Sequence, residues 1–195
     1  MPVPSAGDCR CEGANLRRLD EFLPARHGDT VLRRLRASDV DRFHGYRSDA
    51  TLATYQGWSA MTREQAEAFV AQMAPVAELV PGDWVQFAIA EAGSDRLIGD
   101  VGVHLEADGA AAELGFTLCR EAQGRGHAIR AVEAARSLIF ASTAAGLVRA
   151  VTDARNQGSV RVLERTGFKR LAERQALFKG ERCTEFVYVC HRSAA

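Results

Sequence analysis

The sequence carries no net charge: its 195 residues hold 25 lysines and arginines against 25 aspartates and glutamates. No global positive field can gather nucleic acid or an anionic membrane, so any anion site must be local. There is no uninterrupted apolar run near the roughly 18 residues of a membrane span, and no apolar h-region at the N-terminus. The expected location is cytoplasmic, with neither nucleic acid nor membrane as partner. Five cysteines, Cys9, Cys11, Cys119, Cys183 and Cys190, form no Cys-x-x-Cys pair, and an odd number at irregular spacing argues against a disulfide framework. No histidine cluster joins Cys9-Arg10-Cys11, so that pair reads as exposed and silent and no metal is expected. Cys119 reads as buried packing, since free cysteine behaves mostly as a small hydrophobe. Repeats and low-complexity segments are missing too. So are the Gly-Lys-Ser/Thr ending of a P-loop and the three-glycine dinucleotide spacing, which disfavours ATP and NAD as ligands.

What is present suits one folded domain: 47% hydrophobic residues and enough length to bury a core. Its centre is Ala111 to Ser142. The run Leu114 to Cys119 has strand character, whereas Ala128, Ala131, Val132, Ala135, Leu138 and Ile139 recur at helical spacing. Between them lies Gln123-Gly124-Arg125-Gly126-His127-Ala128. Glycines allow close approach to the main chain, and a helix's first turn offers unpaired N–H groups at its positive end. The turn is thus either a cradle for phosphate or a glycine-softened connection with no ligand.

Residues 1–29, with two prolines before Gly7 and a short Leu16-Leu19-Phe22-Leu23 stripe, read as a loosely ordered or docking arm before a domain of residues 30–195. Thr30 to Arg36 predicts an edge-like strand, and Ser38 an N-cap for a helix over Asp39 to Arg47. Thr62-Arg63-Glu64-Gln65 is a capping box opening a helix to about Ala77. Strands are expected over Trp84 to Glu91, Arg96 to Leu105 and into Cys119, joined by turns at Gly93-Ser94-Asp95 and Ala107-Asp108-Gly109. The helix after Gly126 crosses over to a strand at Leu147 to Asp153, making its two flanking strands parallel neighbours. A short helix from about Gln157 to Arg165 ends at Gly167, and a hairpin around Lys179-Gly180 closes the chain.

Two motifs in order carry a family resemblance. Gln123-Gly124-Arg125-Gly126-His127-Ala128 resembles the Q/R-x-x-G-x-G/A signature of the GNAT superfamily of acyl-CoA-dependent N-acyltransferases. Asn156-Gln157-Gly158-Ser159-Val160-Arg161-Val162-Leu163-Glu164-Arg165-Thr166-Gly167-Phe168 is similar to the N-x-x-S-x-x-v-L-e-k-x-G-F run of its RimJ/RimL-like branch. The match spans about Thr30 to Arg192. The resemblance implies an α+β GNAT fold: a mixed, mostly antiparallel sheet of six to seven strands, flanked by about four helices and splayed around an acyl-CoA site. It implies acetyl-CoA as co-substrate, a primary-amine acceptor (a protein N-terminus or a small molecule), and a monomer or homodimer.

Matched residue by residue, the resemblance puts Phe116 and Leu118 against the pantetheine arm, with the Phe116 N–H at the thioester oxygen. It puts the pyrophosphate on the backbone N–H groups of Gly124, Arg125, Gly126, His127 and Ala128, with Arg125 adding local charge and Gln123 also among the cofactor-binding residues. Asn156 lies beside the pantetheine, and Ser159 either hydrogen-bonds the sulfur as acid or caps the helix. Glu113 is either the general base or a strand-end carboxylate in solvent or an ion pair. Tyr55 and Trp58 either line the acceptor pocket, as the resemblance suggests, or plug the core. His104 and Asp100 are alternative polar contributors. Two departures stand out. Many members place a tyrosine acid where this chain has Val162-Leu163, and ribosomal-type relatives carry a glutamate where it has Gln175-Ala176-Leu177-Phe178, with Glu173 only approximately placed. They motivate an alternative reading, a CoA-binding sensory module without turnover. A third, structural reading rests on residues 1–29 as an assembly arm.

Overall fold

Tight turns bearing glycine join several neighbouring strands of this chain into one sheet. The computed structural model describes residues 16–193; Cys9 and Cys11 lie outside the described residues. Eight strands run in the order β1-β2-β3-β4-β5-β6-β8-β7, with ranges Ala25–His27, Thr30–Arg34, Trp84–Glu91, Leu97–Leu105, Ala111–Leu118, Leu147–Asp153, Lys169–Phe178 and Glu181–His191 for β1 to β8. Every pairing is antiparallel except β5 with β6, which the crossover helix α3 (His127–Ser142) makes parallel.

The sheet has one strand more than the six to seven expected. The extra strand is β1, turned onto β2 through Gly28 at φ 61°, so Thr30–Arg34 is an interior strand rather than an edge. Residues ahead of it also pack: Leu19 is fully buried, its N–H bonds the Ala77 carbonyl, and the Arg17 N–H bonds the Ser142 carbonyl. At the far end, Lys179 and Gly180 both hold positive φ, the requirement of a two-residue hairpin turn, and join β7 to β8.

Helix α1 (Val40–Arg47) packs with α2 (Arg63–Met73) over β3 and β4; α3 packs with α4 (Gln157–Arg165) over β1, β2, β4, β5 and β6. β4 is buried at eight of nine positions, which needs cover on both faces. The Thr62–Gln65 capping box is present in both directions. Its helix stops at Met73 rather than Ala77, because Pro75 has no N–H to continue the ladder and its ring crowds the preceding turn. Ser38 does not cap α1. It sits inside a 3-10 turn, Ala37–Asp39, and the Asp39 carboxylate accepts instead from the Arg36 N–H and the buried Arg33 guanidinium.

A buried network fastens α1 to the sheet. Asp100 on β4 is 1% exposed and accepts two hydrogen bonds from Arg47, at 3.0 and 2.7 Å, and others from Tyr46 and Gln86. The Arg47 guanidinium lies 4.5 Å from the Trp58 ring centroid, so the chain between α1 and α2 is tied to the same network. Removing one member of such a pair strands a desolvated charge, at a cost of about 3–5 kcal/mol. Asp100→Ala is therefore expected to lower the thermal midpoint by about 6–20 °C, at about 2–4 °C per kcal/mol for a domain this size. A drop of a degree or two in calorimetry would contradict this account.

Candidate active site

The site is built where two neighbouring strands separate. β5 and β6 pair at only three positions, Ala111 with Leu147, Ala112 with Val148 and Glu113 with Arg149. Beyond Arg149, β6 follows β8, with which it is paired along its whole length, and leaves β5 behind. The Cys119 N–H bonds the Ile98 carbonyl and the Glu106 N–H bonds the Ala111 carbonyl. With the alternation of an antiparallel ladder, those bonds direct the odd-numbered main-chain groups of β5 toward β4. The even-numbered groups, those of Phe116 and Leu118, face the side from which β6 has departed. There Gln56 Nε2 approaches the Phe116 carbonyl at 3.5 Å, and Gln123 Nε2 donates to the Leu118 carbonyl at 3.1 Å.

The resulting groove has a volume of about 400 Å³. Its walls include Tyr55 from one side, Phe116 and Leu118 from β5, and Asn156 and Ser159 from the start of α4. At its end stands the turn that opens α3, where Gly124 and Gly126 hold φ of 75° and 81°. A side chain is disfavoured there by this left-handed backbone alone. Gly126 is the N-cap of α3, and among the described residues no side chain caps it, so the N–H groups of the helix's first turn have no partner there.

The other residues singled out in this turn are placed differently. The His127 ring is 1% exposed and turned into the protein, its Nδ1 2.8 Å from Thr30 Oγ1, and burial lowers its pKa. That contact anchors the N-terminus of α3 to β2. The Arg125 guanidinium pairs with Glu91 at 3.3 Å. At the start of α4 it is Asn156 that caps, its side-chain oxygen accepting from the Ser159 N–H at 3.2 Å. The Ser159 hydroxyl is thereby relieved of the capping role, and among the described residues it has no hydrogen-bond partner.

Sequence reasoning missed Arg161 and Arg165. One turn apart on α4, both border the groove, and among the described residues neither forms an ion pair. Their i, i+4 spacing on a helix already linked to the site was the available signal. Trp58 does not border the groove; it stacks on Arg47, and its carbonyl accepts from Lys179 Nζ at 2.8 Å. Asp100 is consumed by its buried network, and Glu173 lies exposed on the edge strand β7. Cys119 is buried and its thiol pKa is pushed up by that burial, as befits packing rather than nucleophilic attack. A second depression, of about 420 Å³ between α1 and α2, offers Asp41, Arg63 and Glu67, which already bond one another.

Glu113 stands at the last rung before the strands part. It is half-buried, and among the described residues it forms neither an ion pair nor a side-chain hydrogen bond. Burial raises its pKa, against the opposing pull of Arg149, whose guanidinium is bonded to Glu106, and of His104.

The comparisons agree with this geometry. A family profile described as "Acetyltransferase (GNAT) domain" matches residues 29–169. The chain belongs to the GNAT acetyltransferase family. Among solved structures, this GNAT chain resembles an acetyltransferase (GNAT family) from Bacillus anthracis at 20% identity, with 85% of this chain and 96% of the other covered and a TM-score of 0.75. It resembles spermidine N-acetyltransferase from Vibrio cholerae, in complex with CoA and spermine, at 17% identity over 85% and 96% of the two chains, TM-score 0.72. Ribosomal-protein-S5-alanine acetyltransferase from Vibrio fischeri matches at 20% identity over 85% and 94%, TM-score 0.70. No curated protein matches the sequence. At these identities the likenesses concern the fold alone. Among the described residues of this acetyltransferase no helix is long and apolar enough to cross a membrane, and no group of three or more His, Cys, Asp and Glu gathers as a metal site.

The raised pKa of Glu113 has a consequence for stability. The folded state holds the proton more tightly than the unfolded chain does, so the stabilisation is complete below the unfolded value and is lost as pH rises through the folded one. Glu113→Gln is expected to match the parent's melting temperature near pH 4 and to exceed it at pH 8. A variant less stable than the parent at pH 8 would show that Glu113 is paired.

Proposed function

We propose that this GNAT acetyltransferase moves an acetyl group from acetyl-CoA to a primary amine within a ternary complex. The observation that carries the reading is the main chain of Phe116 and Leu118, turned toward a groove that ends at the free N–H groups of α3. A pantetheine arm, with its two amides, suits a strand edge of this kind, and a pyrophosphate suits the turn of Gly124 to Ala128. Arg161 and Arg165 supply positive charge for the remaining phosphate. Acetyl-CoA, as co-substrate, brings an activated acyl carbonyl. The residues of the chain do the rest. The Phe116 N–H donates to the carbonyl oxygen as negative charge develops there. Glu113 takes a proton from the amine, directly or through water, as the new C–N bond forms. Ser159 Oγ donates a hydrogen bond to sulfur as the C–S bond breaks. Holding the reactants in line supplies much of the rate.

The Asn156 to Phe168 run supports assignment to the RimJ/RimL-like branch, with a protein N-terminus or a small amine as acceptor. We further assign the described part of the N-terminal arm, residues 16–29, to docking on the domain that follows it, supported by the burial of Leu19 and the pairing of β1 with β2.

The first test is heat stability with and without millimolar CoA, followed by thiol release over a panel of amines. Stabilisation with release supports acetyl transfer; stabilisation without release from any amine favours a CoA-binding sensory module instead. A base must be ionised to accept a proton, so kcat/KM should climb as pH passes the raised pKa of Glu113. Glu113→Gln should lower it by about 10²–10³ and flatten that limb. An unaltered rate and pH profile would remove Glu113 from the mechanism.

A further inference from the structure

Trp84, His104, Glu113 and Arg149 occupy one row across four strands: Trp84 is registered with His104, His104 with Glu113 and Glu113 with Arg149. Laterally paired residues share a face of the sheet, so these four side chains stand side by side. Trp84 is 48% exposed, and its ring leans on His104 with ring centroids 5.3 Å apart. The row therefore ends in an exposed aromatic ring. The next row toward the groove, Gln86, Gly102 and Gly115, contains two directly paired glycines.

The two glycines differ in a way that decides what they are for. A Cβ on Gly102 would come within 2.7 Å of Gln86 Oε1 and 3.2 Å of the Trp84 ring, so those two side chains already cover that position. A Cβ on Gly115 would meet no atom within 4 Å, and its φ lies outside the left-handed region. Neither packing nor backbone conformation needs a glycine at position 115, although glycine weakens a strand interior. A strand glycine that the protein does not need marks a place where something outside the chain comes close to the backbone.

Resting on the acetyl-transfer reading, we propose that the open floor at Gly115, bounded by Glu113 and by the exposed Trp84 ring that lies over Gly102, is the acceptor shelf, and that it takes a monocationic primary amine carried next to a flat or bulky apolar group. The amine lies over Gly115 beside Glu113, and the apolar group rests on the exposed Trp84 ring. The charges on the shelf select against polyamines. Glu106 is held by Arg149, which leaves Glu113 as the carboxylate of the row, with the Arg149 cation on its far side. A chain of several ammonium groups would meet one carboxylate and one guanidinium. The shared chemistry, an amine beside an apolar group, has two sources: a free arylalkylamine, or a peptide whose first residue is large and apolar.

The test uses the full chain, acetyl-CoA and three probes: phenethylamine, a tetrapeptide amide beginning with Phe, and spermine. The parent should release thiol with phenethylamine or the Phe peptide, whichever is the source, at a kcat/KM at least tenfold above that for spermine. Gly115→Val, a good strand former entering open space, should equal or exceed the parent's melting temperature and keep its shift with CoA but raise the acceptor KM at least tenfold. Trp84→Ala should raise KM for the aromatic probes tenfold or more while changing kcat less than threefold, and Trp84→Phe should recover most of the loss. Preference for spermine, or an unchanged acceptor KM in a folded, CoA-binding Gly115→Val, would overturn the shelf while leaving acetyl transfer standing. Absence of any CoA shift in the parent would instead overturn the acetyl-transfer reading and the shelf with it.

Discussion

The parting of β5 from β6 is the constraint on which the rest of this structure depends. Interior strands normally satisfy main-chain groups on both sides, and a buried amide left without a partner costs about as much as a lost hydrogen bond. Here β6 leaves after three pairs, and its antiparallel pairing with β8 along its whole length keeps it from closing back. Gln56 and Gln123 reach the two carbonyls exposed by the departure, whereas side-chain amides at those places leave the N–H groups of Phe116 and Leu118 to whatever enters the groove. The fold therefore presents an edge in the middle of its sheet. A wedge held open in this way is shaped to take an extended, amide-bearing chain with little rearrangement, which is the condition for low-cost ordering of a ligand.

Around that wedge, charge is distributed by pairing rather than by excess. Arginines elsewhere are largely engaged with carboxylates, as in Arg33 with Asp39, Arg47 with Asp100 and Arg155 with Asp153, so a chain with balanced composition has little free field to display. Arg161 and Arg165 fall outside this pattern and border the groove. Local charge of this kind suits a small polyanionic ligand and gives no long-range attraction to a polymer of phosphates. Arg125 illustrates why motif membership alone does not assign electrostatics: it lies in the signature turn, yet Glu91 takes its guanidinium.

Much of this was legible in the chain because the determinants are local. The Thr62 to Gln65 box, the Lys179-Gly180 hairpin and the switch from strand to helix period across Gly124 and Gly126 each depend on residues within a few positions of one another. What escaped depends on distant partners. Ser38 looks like an N-cap until Arg33 and the Arg36 N–H claim Asp39 and shift the helix start. β1 is only three residues long and acquires strand character from its pairing with β2. Asp100 reads in the sequence as an alternative polar contributor to the site, and only the packing of α1 against β4 shows it buried with Arg47. Pro75 is the exception, a local stop signal for α2 present in the chain.

Two positions in β5 run against the interests of the fold, and both lie on one face. Glu113 is a carboxylate in partial burial without an ion pair among the described residues, and Gly115 is a strand glycine with empty space where a side chain could pack. Either change, to glutamine at 113 or to a β-branched residue at 115, would satisfy strand propensity and desolvation better than the present residue does. Places where a chain departs from its own local optimum without a structural return are where function is expected to have set the residue. Gly99 shows the contrast. Its Cβ would stand 2.2 Å from the Thr117 carbonyl, so its glycine is explained by the fold alone. The unexplained pair sits beside the wedge, on the same strand that turns Phe116 into it, and on the acetyl-transfer reading proposed above the two reactants meet on adjoining surfaces of that strand.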